Sequence, residues 1–187
     1  YNPKIPVEKY NPDEAKRLLS EAGYPNGFSL TIHGPNNRYV NDSKIVQAVG
    51  QMLSRIGLTI KVDTMPRAAY FPKINVKNGV EFSLGLLGWG NTPYPASGHL
   101  GLMHCTKGNY NRSGYCNSKY DQMIDDAVST VDDSERELKE MKAVKLAMDE
   151  LAVIPLHVQY TVLAGRKGIN YSPRADERTE AMNASPE

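Results

Sequence analysis

Residues 28–65 read FSLTIHGPNNRYVNDSKIVQAVGQMLSRIGLTIKVDTM, and the fold is decided by how this stretch is punctuated. Phe28-Ser29-Leu30-Thr31-Ile32 alternates apolar and polar residues, the period of a strand. The loop Gly34-Pro35-Asn36-Asn37-Arg38-Tyr39 follows. A helix is expected from near Asn41 or Asp42, because Ile45, Val46, Val49, Met52, Leu53 and Ile56 recur at helical spacing and Gly57 closes the run. From Thr59 to Met65 the alternation returns, with Ile60 and Val62 on one face. Strand, helix and strand in this order imply an α/β domain with a mainly parallel sheet.

The same rhythm continues outward. Asn11-Pro12-Asp13-Glu14 is a helix start: Asn11 caps, Pro12 suits the first helical position, and Glu14 completes a capping box. Leu18, Leu19 and Ala22 give that helix its apolar face, and Gly23 ends it. On the other side, a short helix is expected from Arg67 to about Ile74, a turn at Asn78-Gly79, and a nearly continuous apolar strand from Phe82 to Leu87. A long loop then runs from Gly88 to Asn117; loops of that length in compact domains are often functional. Ser118-x-x-Asp121 opens one further helix and Asp132-x-x-Glu135 another, near Asp133. The second is expected to turn Leu138, Met141, Val144, Met148 and Leu151 inward. Leu156 to Val162 alternates as a last strand, and the polar tail 172–187 reads as irregular.

Composition excludes several classes. The chain has 187 residues, 40% hydrophobic and 23% charged, with a net charge of +1: globular values, and the size of one domain. Lys and Arg are scattered, so no basic stripe for nucleic acid forms. Apolar runs such as Leu84 to Leu87 are far too short to span a bilayer. The chain opens on Tyr1-Asn2-Pro3-Lys4, which reads as the middle of something longer. Nothing supports an enzyme: there is no Gly-x-Ser-x-Gly elbow, Gly85 to Gly90 is the wrong pattern for a phosphate loop, and Asp125-Asp126 and Asp132-Asp133 read as helix surfaces and caps. His99, His104, Cys105 and Cys116 match no common zinc spacing, so no metal is expected. Cys105 and Cys116, with ten residues between them in a loop-like stretch, are either two thiols or one local disulfide.

The segment Gly88-Trp89-Gly90-Asn91-Thr92-Pro93-Tyr94-Pro95 holds the only Trp and follows a strand end. In open α/β sheets ligands bind beyond the carboxyl ends of strands. Glycine admits close backbone approach and an aromatic plane offers a wall. Arg38 and Tyr39 follow another strand, and Arg38 can pair with a carboxylate. The candidate ligand-binding set is therefore Arg38, Tyr39, Trp89, Gly90, Asn91 and Thr92, with Arg67 and Tyr70 added. Spacing alone equally allows Trp89 as core and Arg38 as a solvated side chain.

Several phrases, in order, resemble the peptide, nickel and opine family of periplasmic solute-binding proteins. They are Tyr10-Asn11-Pro12-Asp13-Glu14-Ala15-Lys16-Arg17-Leu18-Leu19, then Glu21-Ala22-Gly23-Tyr24-Pro25-Asn26-Gly27-Phe28, Gln51-Met52-Leu53-Ser54-Arg55-Ile56-Gly57, Leu86-Leu87-Gly88-Trp89-Gly90 and Ile154-Pro155-Leu156-His157. Arg166-Lys167-Gly168 with Pro173-Arg174-Ala175-Asp176-Glu177 is similar to one branch. The resemblance implies a type II periplasmic-binding-protein lobe, residues 1–187, forming the C-terminal portion of a larger two-lobed protein. It implies an exported, periplasmic, monomeric binder of a peptide or similar solute that docks on an ABC permease, with no cofactor and no nucleic-acid partner. The exported context favours a Cys105–Cys116 bridge. A metal or haem carrier, or a docking domain that never touches solute, are the rival readings. This chain departs from the family's peptide binders in having no Asp shortly after Gly88-Trp89, and in Arg67 where many relatives carry Trp.

Overall fold

A computed structural model describes residues 5–6, 9–75, 82–90, 98, 101–160, 162–174 and 179–187. The expected turn at Asn78-Gly79 lies outside these. The chain packs as two compact units, Tyr1–Ile154 and Pro155–Glu187.

In the first unit, α1 spans Pro12–Glu21, and the side chain of Asn11 accepts the backbone N–H of Glu14 at 3.0 Å. Strand β1 (Ser29–Pro35) pairs in parallel with β2 (Thr59–Met65) along its full length, from Ser29 opposite Thr59 to Pro35 opposite Met65. The crossover between them is α2 (Asp42–Arg55). Strand β3 (Leu84–Gly85) pairs in parallel on the other side of β1, giving the order β2-β1-β3.

Small residues set the layering. A Cβ at Gly34 would lie 2.4 Å from a Val46 methyl, and one at Gly50 would lie 2.9 Å from a Val62 methyl, so α2 packs tightly on one face of the sheet. The short helix α3 (Arg67–Lys73) covers the other face: a Cβ at Gly85 would lie 2.8 Å from the Tyr70 hydroxyl, and the Phe82 ring stacks on His33 and Tyr70. Burial pushes the His33 imidazole pKa down, outweighing the nearby Asp63 carboxylate.

Helices α4 (Ser118–Ser129) and α5 (Asp133–Asp149) pack together, with Met103, Tyr120, Ile124, Ala143, Ala147 and Ala152 as their core. The Asn117 and Asp132 side chains cap them.

Five expectations are corrected. The strand expected over Phe82–Leu87 is paired only at Leu84–Gly85, with one further bond from the Leu86 N–H to the His33 carbonyl; the Leu86 carbonyl accepts from the Tyr70 hydroxyl instead of continuing a ladder. The stretch Gly88–Asn117 is not devoid of regular structure, since residues 101–103 are helical. Helix α5 buries Glu140, Ala143 and Ala147, whereas Leu138 and Leu151 are exposed and Met141, Val144 and Met148 are half-buried. Alanines let two helices approach closely, so the shorter side chains face the seam.

The fourth and fifth corrections fall in the second unit. Residues 155–160 form no strand, and Leu156, Val158, Tyr160 and Val162 are exposed, because alternation makes a strand only where a neighbouring strand supplies hydrogen bonds. The tail expected to be irregular contains order: β4 (Ile169–Tyr171) pairs antiparallel with β5 (Ala184–Pro186), preceded by a 3₁₀ turn at Ala181–Asn183. No helix among the described residues is long and apolar enough to cross a membrane.

Candidate functional site

All three parallel strands end on the same side, and the loops leaving them are hydrogen-bonded to one another. After β1, the Asn36 N–H donates to the Met65 carbonyl at the end of β2 (3.0 Å), and the Asn37 side-chain oxygen accepts the Arg67 N–H at the start of α3 (2.8 Å). Next comes a tight turn closed by Asp42. Its carboxylate accepts the backbone N–H groups of Arg38 (2.8 Å), Tyr39 (3.1 Å) and Ser43 (2.8 Å), while Asn41 sits in the left-handed region at φ 57°. Burial pushes the Asp42 carboxyl pKa up, but the three N–H donors together outweigh it and hold the group below the usual carboxylate range.

The turn presents two side chains. The Arg38 guanidinium lies over the Tyr39 ring, 4.8 Å from its centroid. The Tyr39 hydroxyl donates to the Gly88 carbonyl at 3.3 Å, and its ring lies flat against Gly88, where a Cβ would come within 2.6 Å of the ring. Tyr39 thus joins the loop after β1 to the loop after β3. Neither Arg38 nor Arg67 has a carboxylate partner among the described residues.

Trp89 follows Gly88 directly and is 41% exposed. Its ring meets Tyr110 edge-on at 5.4 Å between centroids and lies over Gly101, whose carbonyl accepts the Tyr110 N–H at 2.9 Å. Tyr110 belongs to a loop closed by a disulfide between Cys105 and Cys116. Inside that loop the Asn111 amide donates to the carbonyl of Tyr115 at 2.8 Å and, at longer range, to those of Met103 and His104.

Of the sequence-derived candidates, Arg38, Tyr39, Arg67, Trp89 and Gly90 gather at this end of the sheet, with nothing among the described residues within 4 Å of where a Gly90 Cβ would stand. Tyr70 does not belong with them. It is 0% exposed, its hydroxyl is spent on the Leu86 carbonyl at 2.9 Å, and burial raises its pKa; it is a core residue that braces β3. Asn91, Thr92 and His99 lie outside the described residues. The imagined zinc set is dismantled: both cysteines are in the disulfide, and His104 Nδ1 accepts the N–H groups of Thr106 and Lys107. Sequence reading missed Asn37, Asp42 and Tyr110. Asp42 was legible only as a helix start, and Tyr110 carried no local signal.

The strand-end loops of this α/β unit form an open, aromatic and cationic face. The family described as "Bacterial extracellular solute-binding proteins, family 5 Middle" matches residues 1–111, more than half of the chain, and the chain belongs to that family. It is 28% identical over 166 residues to the glutathione-binding protein GsiB of Escherichia coli (strain K12), covering 86% of this chain and 32% of the relative. The structure of the periplasmic binding protein DppA from Helicobacter pylori in complex with the peptide STSA matches with TM-score 0.72 and 25% identity, covering 81% of this chain and 30% of that one. HbpA2 from Haemophilus parasuis matches the fold at TM-score 0.80 and 22% identity over 100% of this chain and 38% of its own. The fold is that of a type II periplasmic binding protein lobe, and the chain spans about a third of the length of the curated relatives it matches.

Proposed function

We propose that this chain supplies one wall of the solute cleft of a binding protein for ABC-transporter-mediated uptake, and that the solute is a small polar molecule carrying a carboxylate. The observation that supports this most is the Arg38–Tyr39–Gly88 joint: the guanidinium, without a carboxylate partner among the described residues, lies over a ring that packs on Gly88, one residue before the exposed Trp89. Arg38 forms the charge-assisted bond to the carboxylate, Trp89 offers its plane, and Gly90 offers backbone; Arg67, Asn91 and Thr92 extend the contact surface. Tyr39 acts mainly as the strut between loops. GsiB is named for glutathione and the DppA structure holds a peptide; both ligands fit a carboxylate-reading site.

Binding of this kind, in the periplasm and with a permease as acceptor, needs no reaction. Native mass spectrometry of the full gene product tests the proposal, first for a co-purified solute and then after addition of reduced glutathione or Met-Leu. A retained carboxylate-bearing mass is expected. Failure to retain or take up any such solute would overturn the reading.

A further inference from the structure

We propose that Asp42 is the positioning residue of the solute site: its buried carboxylate gathers the backbone N–H groups of Arg38 and Tyr39, and so holds the guanidinium, the ring and the Gly88 loop as one preformed wall. The proposal rests on reading the strand ends as the solute site.

Asp42 is 4% exposed, and a buried carboxylate is tolerated only where its lone pairs are met. It stands at the first position of α2, where an acid ordinarily faces the free N–H groups of its own helix end. Here one oxygen turns outward from the helix. Oδ2 reaches back to Arg38 and Tyr39 at 2.8 and 3.1 Å, and only Oδ1 serves the helix, through Ser43 at 2.8 Å. The residue before it, Asn41, makes no side-chain cap and holds φ 57°, a left-handed state that Asn adopts more readily than other side-chain-bearing residues.

The consequence is geometric. Fixing two successive N–H groups fixes the directions in which residues 38 and 39 leave the chain. Arg38 then lies over the Tyr39 ring, and Tyr39 lies on Gly88, one residue before Trp89. Without Asp42, the turn has no internal acceptor for those N–H groups, and an exposed Arg has many rotamers of equal merit. A site held ready before the solute arrives binds more tightly than one ordered by the solute.

Trp89 is the only Trp, so its fluorescence, excited beyond the tyrosine band, reads this wall without any solute. A guanidinium held within a Debye length of the indole concentrates anions and repels cations there. The experiment compares iodide, caesium and acrylamide quenching in this chain and in Asp42→Ala, Asp42→Asn and Asp132→Ala, each with and without Arg38→Gln. In the unmodified chain Arg38→Gln is expected to lower the iodide-to-caesium ratio of quenching constants by about twofold or more, and on Asp42→Ala to leave it nearly unchanged; comparing within each background cancels the charge lost with the Asp42 carboxylate. Asp42→Asn, which keeps one oxygen acceptor, should fall between. Asp132→Ala loses the comparable cap of α5, the 2.8 Å bond to the Glu135 N–H, and should keep the full Arg38 effect. A full Arg38 effect on Asp42→Ala, or its loss on Asp132→Ala, would overturn the proposal; if Asp42→Ala does not fold, Asp42→Asn decides it by the same criterion. Because the Arg38 effect needs no solute, a lost effect alongside no solute uptake refutes the site reading alone, and a kept effect alongside uptake refutes the positioning role alone.

Discussion

Gly88→Ala is the sharpest perturbation of the joint between the two strand-end loops. The added Cβ would stand 2.6, 2.9 and 3.0 Å from three atoms of the Tyr39 ring. Carbon atoms pack at about 3.5–4.0 Å, so ring and loop must part by about 1 Å. The Tyr39 hydroxyl already reaches the Gly88 carbonyl at 3.3 Å, and parting by that amount breaks the bond. Overpacking of this kind costs about 1–3 kcal/mol, and a lost neutral hydrogen bond about 1 kcal/mol. Both groups sit at the surface and can relax, so the lower end, about 1–2 kcal/mol, applies. For a chain of this size that lowers Tm by roughly 3–6 °C. The assay is thermal unfolding followed by circular dichroism, with Trp89 emission recorded on the same samples. A red-shifted Trp89 emission should accompany the lower Tm, because the segment it belongs to has moved. An unchanged Tm together with unchanged emission would refute the claim that Tyr39 joins the loops. A lower Tm with unchanged emission would show that the joint does not hold Trp89.

Reducing the Cys105–Cys116 disulfide, whose cysteines are 11 positions apart, should cost about 3 kcal/mol in the chain-entropy model, a fall in Tm of roughly 5–10 °C, and thiol titration of the unfolded, unreduced chain should find no free thiol. Tyr70→Phe removes the donor to the half-buried Leu86 carbonyl and should cost about 1 kcal/mol in urea unfolding, with solute binding unaffected. Glu150 accepts from the Tyr115 hydroxyl at 2.6 Å and from the Asn117 amide at 2.8 Å, and these bonds hold its carboxyl below the usual range. A lowered folded-state pKa stabilises above the unfolded value, and that contribution is lost as pH falls through the folded one. The Tm gap between unmodified chain and Glu150→Gln should therefore be widest near neutral pH and close below about pH 4; a gap independent of pH would contradict this.

Much of the fold was legible because it is written in local chemistry. Asn11-Pro12 at one helix start, the 3.6-residue rhythm of α2 and the two-residue rhythm of β1 and β2 need no knowledge of neighbours. The failures came where the neighbour decides. Ala143 and Ala147 carry little hydropathy, yet they form the α4–α5 seam and leave Leu138 outside. The alternation from Leu156 to Val162 is real, but no strand among the described residues pairs with it. At the site, the strand-end rule located Arg38, Tyr39 and Trp89 together. It could not tell that Tyr39 would lie on Gly88, 49 positions away, or that Tyr70 would turn into the core. The role of Asp42 was hidden because a first-turn acid is what any helix start displays.

The central claim is that solute is read at the ends of β1, β2 and β3 by the guanidinium of Arg38. Isothermal titration of the full gene product with reduced glutathione and with Met-Leu, unmodified against Arg38→Ala, tests it most directly. A charge-assisted hydrogen bond is worth about 1.5–3 kcal/mol, so the account predicts binding of a carboxylate-bearing solute that weakens by about 10–100-fold in the variant, at unchanged Tm. Equal affinity in the two proteins would contradict it.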